Sequence, residues 1–393
     1  MGLGGGKVED CDLRLAFLRT VRSRREWAFS GARRSATEVC PPLFGVDTIS
    51  SMQNLGHAVR LHWPGKREER PAPAAALQTV KRGQAETVLV QGDNLAALGA
   101  LRARGERAAL VYLDPPFFTG REHNHVERSR GKDGIVRRLV PAFDDRWQNL
   151  QEYLAALGDR LTAARELLDP AGCLVLHVDP KTSHYAKVLC DEIFGPDAFA
   201  SEIIWRYRRW PAKTKNFQRV HDVLLRYVRD PEVAPRFRQL YEPLAASTAK
   251  TWGTQRQRAV VDASGRRRRS SVTEDRSPGA PLGDVWDISI IAPVARERTG
   301  YPTQKPEALL ERLVQACTEP SDLVVDAYAG SGTTLAVCAR LGRRAIGIDQ
   351  SPQALAITRQ RLLAQGTKAH EERVALGPSA TAKTQAARAR RVA

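Results

Sequence analysis

Asp114 stands at the end of an apolar run, in "VYLDPPFFTG" (111–120), and two prolines and two phenylalanines follow it at once. Prolines neither continue a helix nor donate to a sheet ladder, so the stretch reads as a strand stopped with a carboxylate and a ring at its tip. The chemistry open to that pair is capture of a flat, amino-bearing base. The ring of Phe117 can stack on any nucleobase. The carboxylate of Asp114 accepts hydrogen bonds and cannot donate. An exocyclic amine offers two hydrogens, one for Asp114 and one for the main-chain carbonyl of Pro115, whose direction Pro116 constrains. For Asp-Pro alone, a strand-ending turn with an incidental acid is the better reading.

A second pattern changes that balance. "VVDAYAGSGTT" places Gly330 and Gly332 between a strand and a helix, where glycine lets the backbone approach a ligand. "AIGIDQ" then ends another strand with Asp349, placed like the acids that bind ribose hydroxyls. A Gly-x-Gly turn by itself is equally well explained as a tight turn. With an acid at the next strand tip it favours a nucleoside cofactor, and the missing third glycine argues against NAD. "GLGGGK" at 2–7 imitates a phosphate loop, but it follows no strand and carries Val8 where Ser or Thr is required. His123 and His125 have no evident third partner, and the six cysteines form no C-x-x-C pair. Neither a metal site nor a disulfide framework is expected.

These residues need strands to present them. From about residue 87, buried runs alternate with amphipathic segments: "TVLVQGD", "NLAALGALRAR", "AALVYLD", "LQEYLAALGDRLTAARELL", "GCLVLHVD" and "HYAKVLCDEIFG". "SEIIWRYRR" and "VHDVLLRYVR" read as a strand pair. "EALLERLVQACT", "RAIGID" and "PQALAITRQRLLAQG" continue the alternation after a polar, basic gap at 231–282. This pattern predicts an α/β fold with a mostly parallel, doubly wound sheet. At 42% hydrophobic, the chain can build a core, and it holds no run of about eighteen apolar residues that could span a membrane. The first twenty residues contain no apolar signal-peptide core, so a cytoplasmic location is expected.

The net charge of +17 points to a polyanionic partner. The basic tail "TAKTQAARARRVA" carries part of the excess, but residues 201–270 hold 17 Lys and Arg against 6 Asp and Glu. The loop 118–140, which includes Arg121, is basic and reads as a closure over a captured nucleotide. Arg206, Arg208 and Arg209 alternate with Trp205, Tyr207 and Trp210. Phosphate or base-edge contact and a solvated sheet edge with core tryptophans are equally good readings of that stretch.

"DPPF" at 114–117 and "DAYAGSGTT" at 326–334 resemble the signatures of S-adenosylmethionine-dependent DNA amino-methyltransferases. "YPTQKP" at 301–306 is similar to the segment that precedes their cofactor loop. The motif order is that of the β arrangement, and the resemblance covers roughly 55–365, including "LHWPGK" and "GDVWDI". It is closest in kind to adenine-specific members, among them type III modification subunits. Phe117 replaces the frequent Tyr, and Tyr328 replaces the usual Phe. The resemblance implies a class I, Rossmann-like fold, circularly permuted, with an inserted DNA-recognition region. It implies catalysis by Asp114, Pro115, Pro116 and Phe117 on a flipped base. Cofactor contacts would come from Gln304, Lys305, Pro306, Asp326, Tyr328, Ala329, Gly330, Gly332, Thr333, Thr334 and Asp349. DNA contacts would come from Arg121, Arg206, Arg208, Arg209 and Trp210. Double-stranded DNA is the implied partner, and a homodimer and a restriction endonuclease partner stay open. The alternatives are cytosine-N4 methylation and a non-catalytic DNA-binding protein that keeps the fold.

The implied boundaries are a basic extension over 1–54, a catalytic half over 55–230, a recognition region over 231–282 with a start near 206 as the alternative, a cofactor half over 283–365, and a disordered tail over 366–393. A class I sheet needs one more strand beyond the helix that follows Asp349, and the strand pattern runs out after that helix. Permutation would supply it from "TVLVQGD", which predicts Asp93 near the cofactor adenine, on the sheet edge that carries Gly330 and Asp349. Capping of the next helix is the competing role for Asp93.

Overall fold

The buried runs assemble into one ten-stranded sheet in the computed structural model, which describes residues 59–66, 72–131, 134–211, 213–252, 259–269 and 277–376. β1 (Ala75–Lys81) and β2 (Gln84–Gln91) lead into α1 (Asn94–Ala103) and β3 (Ala108–Leu113). A hairpin of β4 (Glu122–Gly131) and β5 (Gly134–Asp144) precedes α2 (Leu150–Leu167), β6 (Leu168–Val178) and α3 (Ser183–Phe194). β7 (Phe199–Arg206) and β8 (His221–Val228) follow. The next segment holds only short pieces: β9 (Tyr241–Glu242), α4 (Ala246–Trp252), β10 (Ala259–Val261), β11 (Arg267–Arg269) and β12 (Ala280–Pro281). Then come β13 (Val285–Asp287), α5 (Glu307–Cys317), β14 (Leu323–Asp326), α6 (Thr333–Leu341), β15 (Arg344–Asp349), α7 (Pro352–Ala364) and β16 (Ala369–Leu376).

The sheet runs in the order β1-β16-β2-β15-β14-β3-β6-β8-β7-β13. Its centre, from β16 to β6, is parallel, while β1 and β8 run antiparallel to their neighbours. Every residue of β3 and of β14 is buried, which is the pattern of parallel strands covered on both faces. Leu98, Leu161 and Leu189 from α1, α2 and α3 fill the apolar layer on one face. Leu310, Leu335 and Leu355 from α5, α6 and α7 fill the layer on the other. The chain leaves β14 through a helix on one face and leaves β3 towards a helix on the opposite face. A crevice therefore opens at the carboxyl ends between these two adjacent strands, where such sheets bind ligands.

Three expectations change. The chain does not lack a strand after α7: β16 forms there, parallel to β2 and antiparallel to β1. The tail expected from 366 is accordingly strand over 369–376, and its remainder lies outside the described residues. The stretch read as a basic loop at 118–140 is mostly the β4–β5 hairpin. β2 nevertheless pairs with β15, with Gln91 opposite Asp349, as the permutation argument requires. The extension over 1–54 lies outside the described residues. Among the described residues no helix is long and apolar enough to cross a membrane.

Candidate active site

Both sequence motifs line one cavity of about 270 Å³ at the carboxyl edge of the sheet. Asp114, Pro115, Pro116 and Phe117 form one end of it, and Asp326, Tyr328, Ala329, Gly330, Thr333, Thr334 and Asp349 form the other. Asp93, Gln304 and Lys305 also face it, whereas Pro306 caps α5 and Gly332 caps α6. The cavity gathers six carboxylates, Asp93, Asp114, Asp144, Asp145, Asp326 and Asp349, inside a strongly basic chain.

The Asp114 end is built on a carboxylate that the sequence does not single out. Asp145, fully buried, accepts the backbone N–H of Phe117 (3.2 Å), Phe118 (2.9 Å) and Thr119 (2.8 Å). It also accepts Thr119 Oγ1–H at 2.6 Å and the Trp147 indole N–H at 3.1 Å. These bonds hold the turn after Pro116, where Phe118 takes a φ of 57°. Behind the Phe117 ring lies a buried polar chain. The His177 ring is 5.4 Å from the Phe117 ring, and its Nδ1 shares a 2.9 Å hydrogen bond with Tyr112 Oη. His177 Nε2 meets Asp222 Oδ2 at 3.3 Å, and the Tyr207 hydroxyl donates to Asp222 Oδ1 at 2.9 Å. Burial pushes the Asp222 carboxyl up, but hydrogen bonding and charge from His177, the Lys305 charge and the Tyr207 hydrogen bond together outweigh it and leave the group below the usual carboxylate range. A lone His in "GCLVLHVD" carries no sequence signal for this arrangement. Lys305 places its ammonium 2.7 and 2.6 Å from the two oxygens of Asp114.

The other end is a strand–turn–helix with an acid on each side. Asp349 Oδ2 accepts the Gly330 N–H at 2.9 Å and Oδ1 accepts the Ser351 N–H at 2.8 Å, leaving each oxygen a lone pair for a hydroxyl. Gly330 and Gly332 have φ of 50° and 71°. A Cβ at Gly332 would fall 2.3 Å from Thr358 Cγ2, and one at Gly330 would fall 3.1 Å from the Tyr301 ring. Asp326 is buried beneath the turn, accepting Thr334 Oγ1–H at 2.5 Å and the Tyr328 N–H at 3.0 Å. Burial raises its carboxyl to about 7, and burial raises that of Asp349 as well. Asp93 shares this sheet edge. Its Oδ1 caps α1 through Ala96 N–H at 3.0 Å, and its Oδ2 accepts from Arg160 at 3.1 Å. Capping and placement on the cavity wall therefore coexist. A strand-tip acid with lone pairs to spare, beside the Gly330 turn on the cavity wall, suits a ribose diol, and the surrounding carboxylates suit a cation such as a sulfonium.

Two of the aromatic residues part from the arginines around them. Trp205 and Tyr207 point into the core, while Arg206, Arg208, Arg209 and Trp210 are exposed. Arg206 is held by Asp287 of β13, and the Arg209 guanidinium lies 5.2 Å over the Tyr207 ring. Trp210 is 89% exposed and Phe217, in the same β7–β8 connection, is 100% exposed. β7 runs parallel to β3, so this connection leaves the sheet at the edge that carries Asp114. Arg121 is exposed where the β4–β5 hairpin begins. His123 stacks on Phe143 at 4.5 Å and His125 meets the Gly300 carbonyl at 3.0 Å. No cluster of metal-ligating residues occurs among the described residues.

Comparison with known proteins agrees with this geometry. Residues 108–360 match the model of the N6/N4 methyltransferase family, described as DNA methylase. Type II methyltransferase M.EcaI of Enterobacter cloacae is 28% identical over 371 residues, covering 78% of this chain and 78% of that protein. DNA adenine methyltransferase YhdJ of Escherichia coli K12 is 24% identical over 288 residues, covering 71% of this chain and 84% of its own length. Type II methyltransferase M.HpaI of Haemophilus parainfluenzae is 27% identical over 267 residues, covering 68% and 72%. The match to the family model spans most of the chain, from the strand before Asp114 to the last helix, and the chain belongs to the DNA methylase family.

Proposed function

We propose that this protein transfers the methyl group of S-adenosylmethionine to the N6 amine of adenine at specific sites in double-stranded DNA. The observation that carries the reading is the single cavity shared by Asp114 and Phe117 at one end and by the Gly330 turn and Asp349 at the other. An amine acceptor and a nucleoside-bearing donor would meet there. Similar proteins include one named as a DNA adenine methyltransferase, which favours adenine over cytosine.

When bound, S-adenosylmethionine supplies an electrophilic methyl group on a sulfonium. Asp349 would hold the ribose hydroxyls, and the turn through Gly330 and Gly332 would lie against the rest of the donor. Asp93 would lie towards its adenine. Duplex DNA hides the N6 amine, so the base must leave the stack. Phe117 would then stack on its face. Asp114 and the Pro115 carbonyl would accept its two N–H bonds and draw the nitrogen lone pair out of conjugation, aimed at the methyl. Orientation supplies much of the acceleration, and carboxylates fixed in advance around the developing positive charge supply more. The exposed residues described in the β7–β8 connection would contact phosphates through Arg208, Arg209, Lys213 and Lys215. Trp210 or Phe217 would stack in the space the base vacates.

The test is tritium transfer from labelled S-adenosylmethionine to unmethylated DNA, followed by digestion to nucleosides. N6-methyladenine as the labelled product supports the reading. N4-methylcytosine overturns the choice of base, and no label in DNA overturns the activity. Asp114→Ala should abolish transfer while S-adenosylmethionine binding, measured by calorimetry, persists.

A further inference from the structure

One cation in the cavity has no part in the transfer described above. Lys305 Nζ donates to both oxygens of Asp114, at 2.7 and 2.6 Å, and stands 4.9 Å from the centre of the Phe117 ring. It therefore engages the same acid and the same ring that the target base needs. The pair is well enclosed, with side chains 10% and 15% exposed. The backbone that delivers it is fixed. The Lys305 carbonyl accepts the Thr333 hydroxyl of the cofactor turn at 3.1 Å, and Thr333 in turn accepts from Arg361 at 3.0 Å. One residue before it, the Gln304 amide staples the turn by accepting from Thr299 and donating to the Glu297 carbonyl.

The ammonium cannot remain on Asp114 during methyl transfer. The attacking nitrogen becomes positive, and a second cation on the same carboxylate opposes that change. The four-carbon lysine stem lets the head withdraw while its anchored backbone stays in place. We infer that Lys305 is a removable stand-in for the target amine, a positioning residue that keeps Asp114 aimed and paired until a base arrives. It is released only to a group that returns N–H donors to the carboxylate. An exocyclic amine does so, whereas a base carbonyl in that place offers none and leaves the lysine seated. The latch thereby adds discrimination to the acceptor pocket. The inference rests on the amino-methyltransferase reading given above.

A latch that is open in only a fraction of molecules weakens apparent DNA binding by that fraction, and removing it restores the loss. Two variants of the full chain, Lys305→Met and Lys305→Arg, separate the possibilities. Steady-state tritium transfer to unmethylated DNA carrying the wild-type sites is the assay, with S-adenosylmethionine calorimetry as the check on folding. Met fills the space without an N–H, so KM for DNA should fall by about fivefold with no matching gain in kcat. Arg binds a carboxylate with a rigid two-pronged fork, so KM for DNA should rise by about fivefold. Opposite movements support the latch. Movement in the same direction in both variants, unchanged KM in both, or a hundredfold loss of kcat in Lys305→Met with S-adenosylmethionine binding intact overturns it. A wild-type protein that labels no base in DNA would instead sink the parent reading, so the two failures are distinct.

Discussion

The carboxylate of Asp145 sets the backbone of Phe118. It accepts the Phe118 N–H at 2.9 Å and holds that residue at a φ of 57°, in the left-handed region that residues with a Cβ rarely adopt. The neighbouring N–H groups of Phe117 and Thr119 converge on the same carboxylate. The position of the Phe117 ring therefore depends on an acid 28 residues further along the chain.

Asp145→Ala leaves these donors without their acceptor and the turn free to relax. We expect destabilisation on the order of 3 kcal/mol, from the loss of several hydrogen bonds to one buried charge. Turnover should fall by about a hundredfold as the base platform loses its orientation. Denaturant unfolding and steady-state transfer measure the two effects. Wild-type values in both would break the link between Asp145 and the pocket.

Gly332→Ala should damage the cofactor end without touching the acceptor acid. The new Cβ would lie 2.3 Å from Thr358 Cγ2, at a φ of 71°. With left-handed strain of about 1–2 kcal/mol and the clash added, S-adenosylmethionine affinity should weaken by about tenfold or more. Calorimetry reads this directly. Equal affinity would show that the turn can reshape at no cost to the site.

Trp210→Ala and Phe217→Ala should each weaken DNA binding, by about 1–3 kcal/mol if the ring stacks on a base. S-adenosylmethionine binding should not change, because both rings stand in solvent. Binding of the unaltered protein should also weaken steeply as salt rises, since its phosphate contacts displace counterions. Fluorescence anisotropy on duplex DNA is the measurement. Two silent variants would move the interface away from the β7–β8 connection.

Asp326 makes stability depend on pH in an unusual sense. Burial raises its folded carboxyl to about 7, above the ordinary value of 3.8. The folded state therefore holds a proton that the unfolded chain has released. This contribution is full below about pH 4 and is lost as pH rises through about 7. At roughly 1.36 kcal/mol per pH unit the whole effect is at most about 4 kcal/mol. Chemical denaturation between pH 4 and 8 should show this decline in the unaltered protein and a flatter profile in Asp326→Asn. Parallel profiles would mean that another group governs the dependence.

Local patterns in the chain already determined much of this architecture. Continuous burial of "AALVYL" and "LVVD", the helices between them, and the placing of Asp114, Gly330 and Asp349 at strand ends follow from periodicity and turn chemistry, which are short-range. Tertiary structure decided the rest. "AHEERVAL" has no clear alternation, and it becomes β16 only because β1 and β2 offer it hydrogen-bonding edges. In "FDDRW", Asp144 and Asp145 are adjacent and chemically alike, yet the first pairs with Arg146 in solvent and the second is wholly buried under the Phe117 turn. Strand parity separated Trp205 from Arg206 but could not say which side was core; packing against β13 and α5 chose. Lys305 stood in the segment assigned to the cofactor, and its head lies on Asp114, 191 residues away. A side chain's neighbours in space depend on how distant strands order themselves in the sheet, and no local pattern in the sequence carries that order.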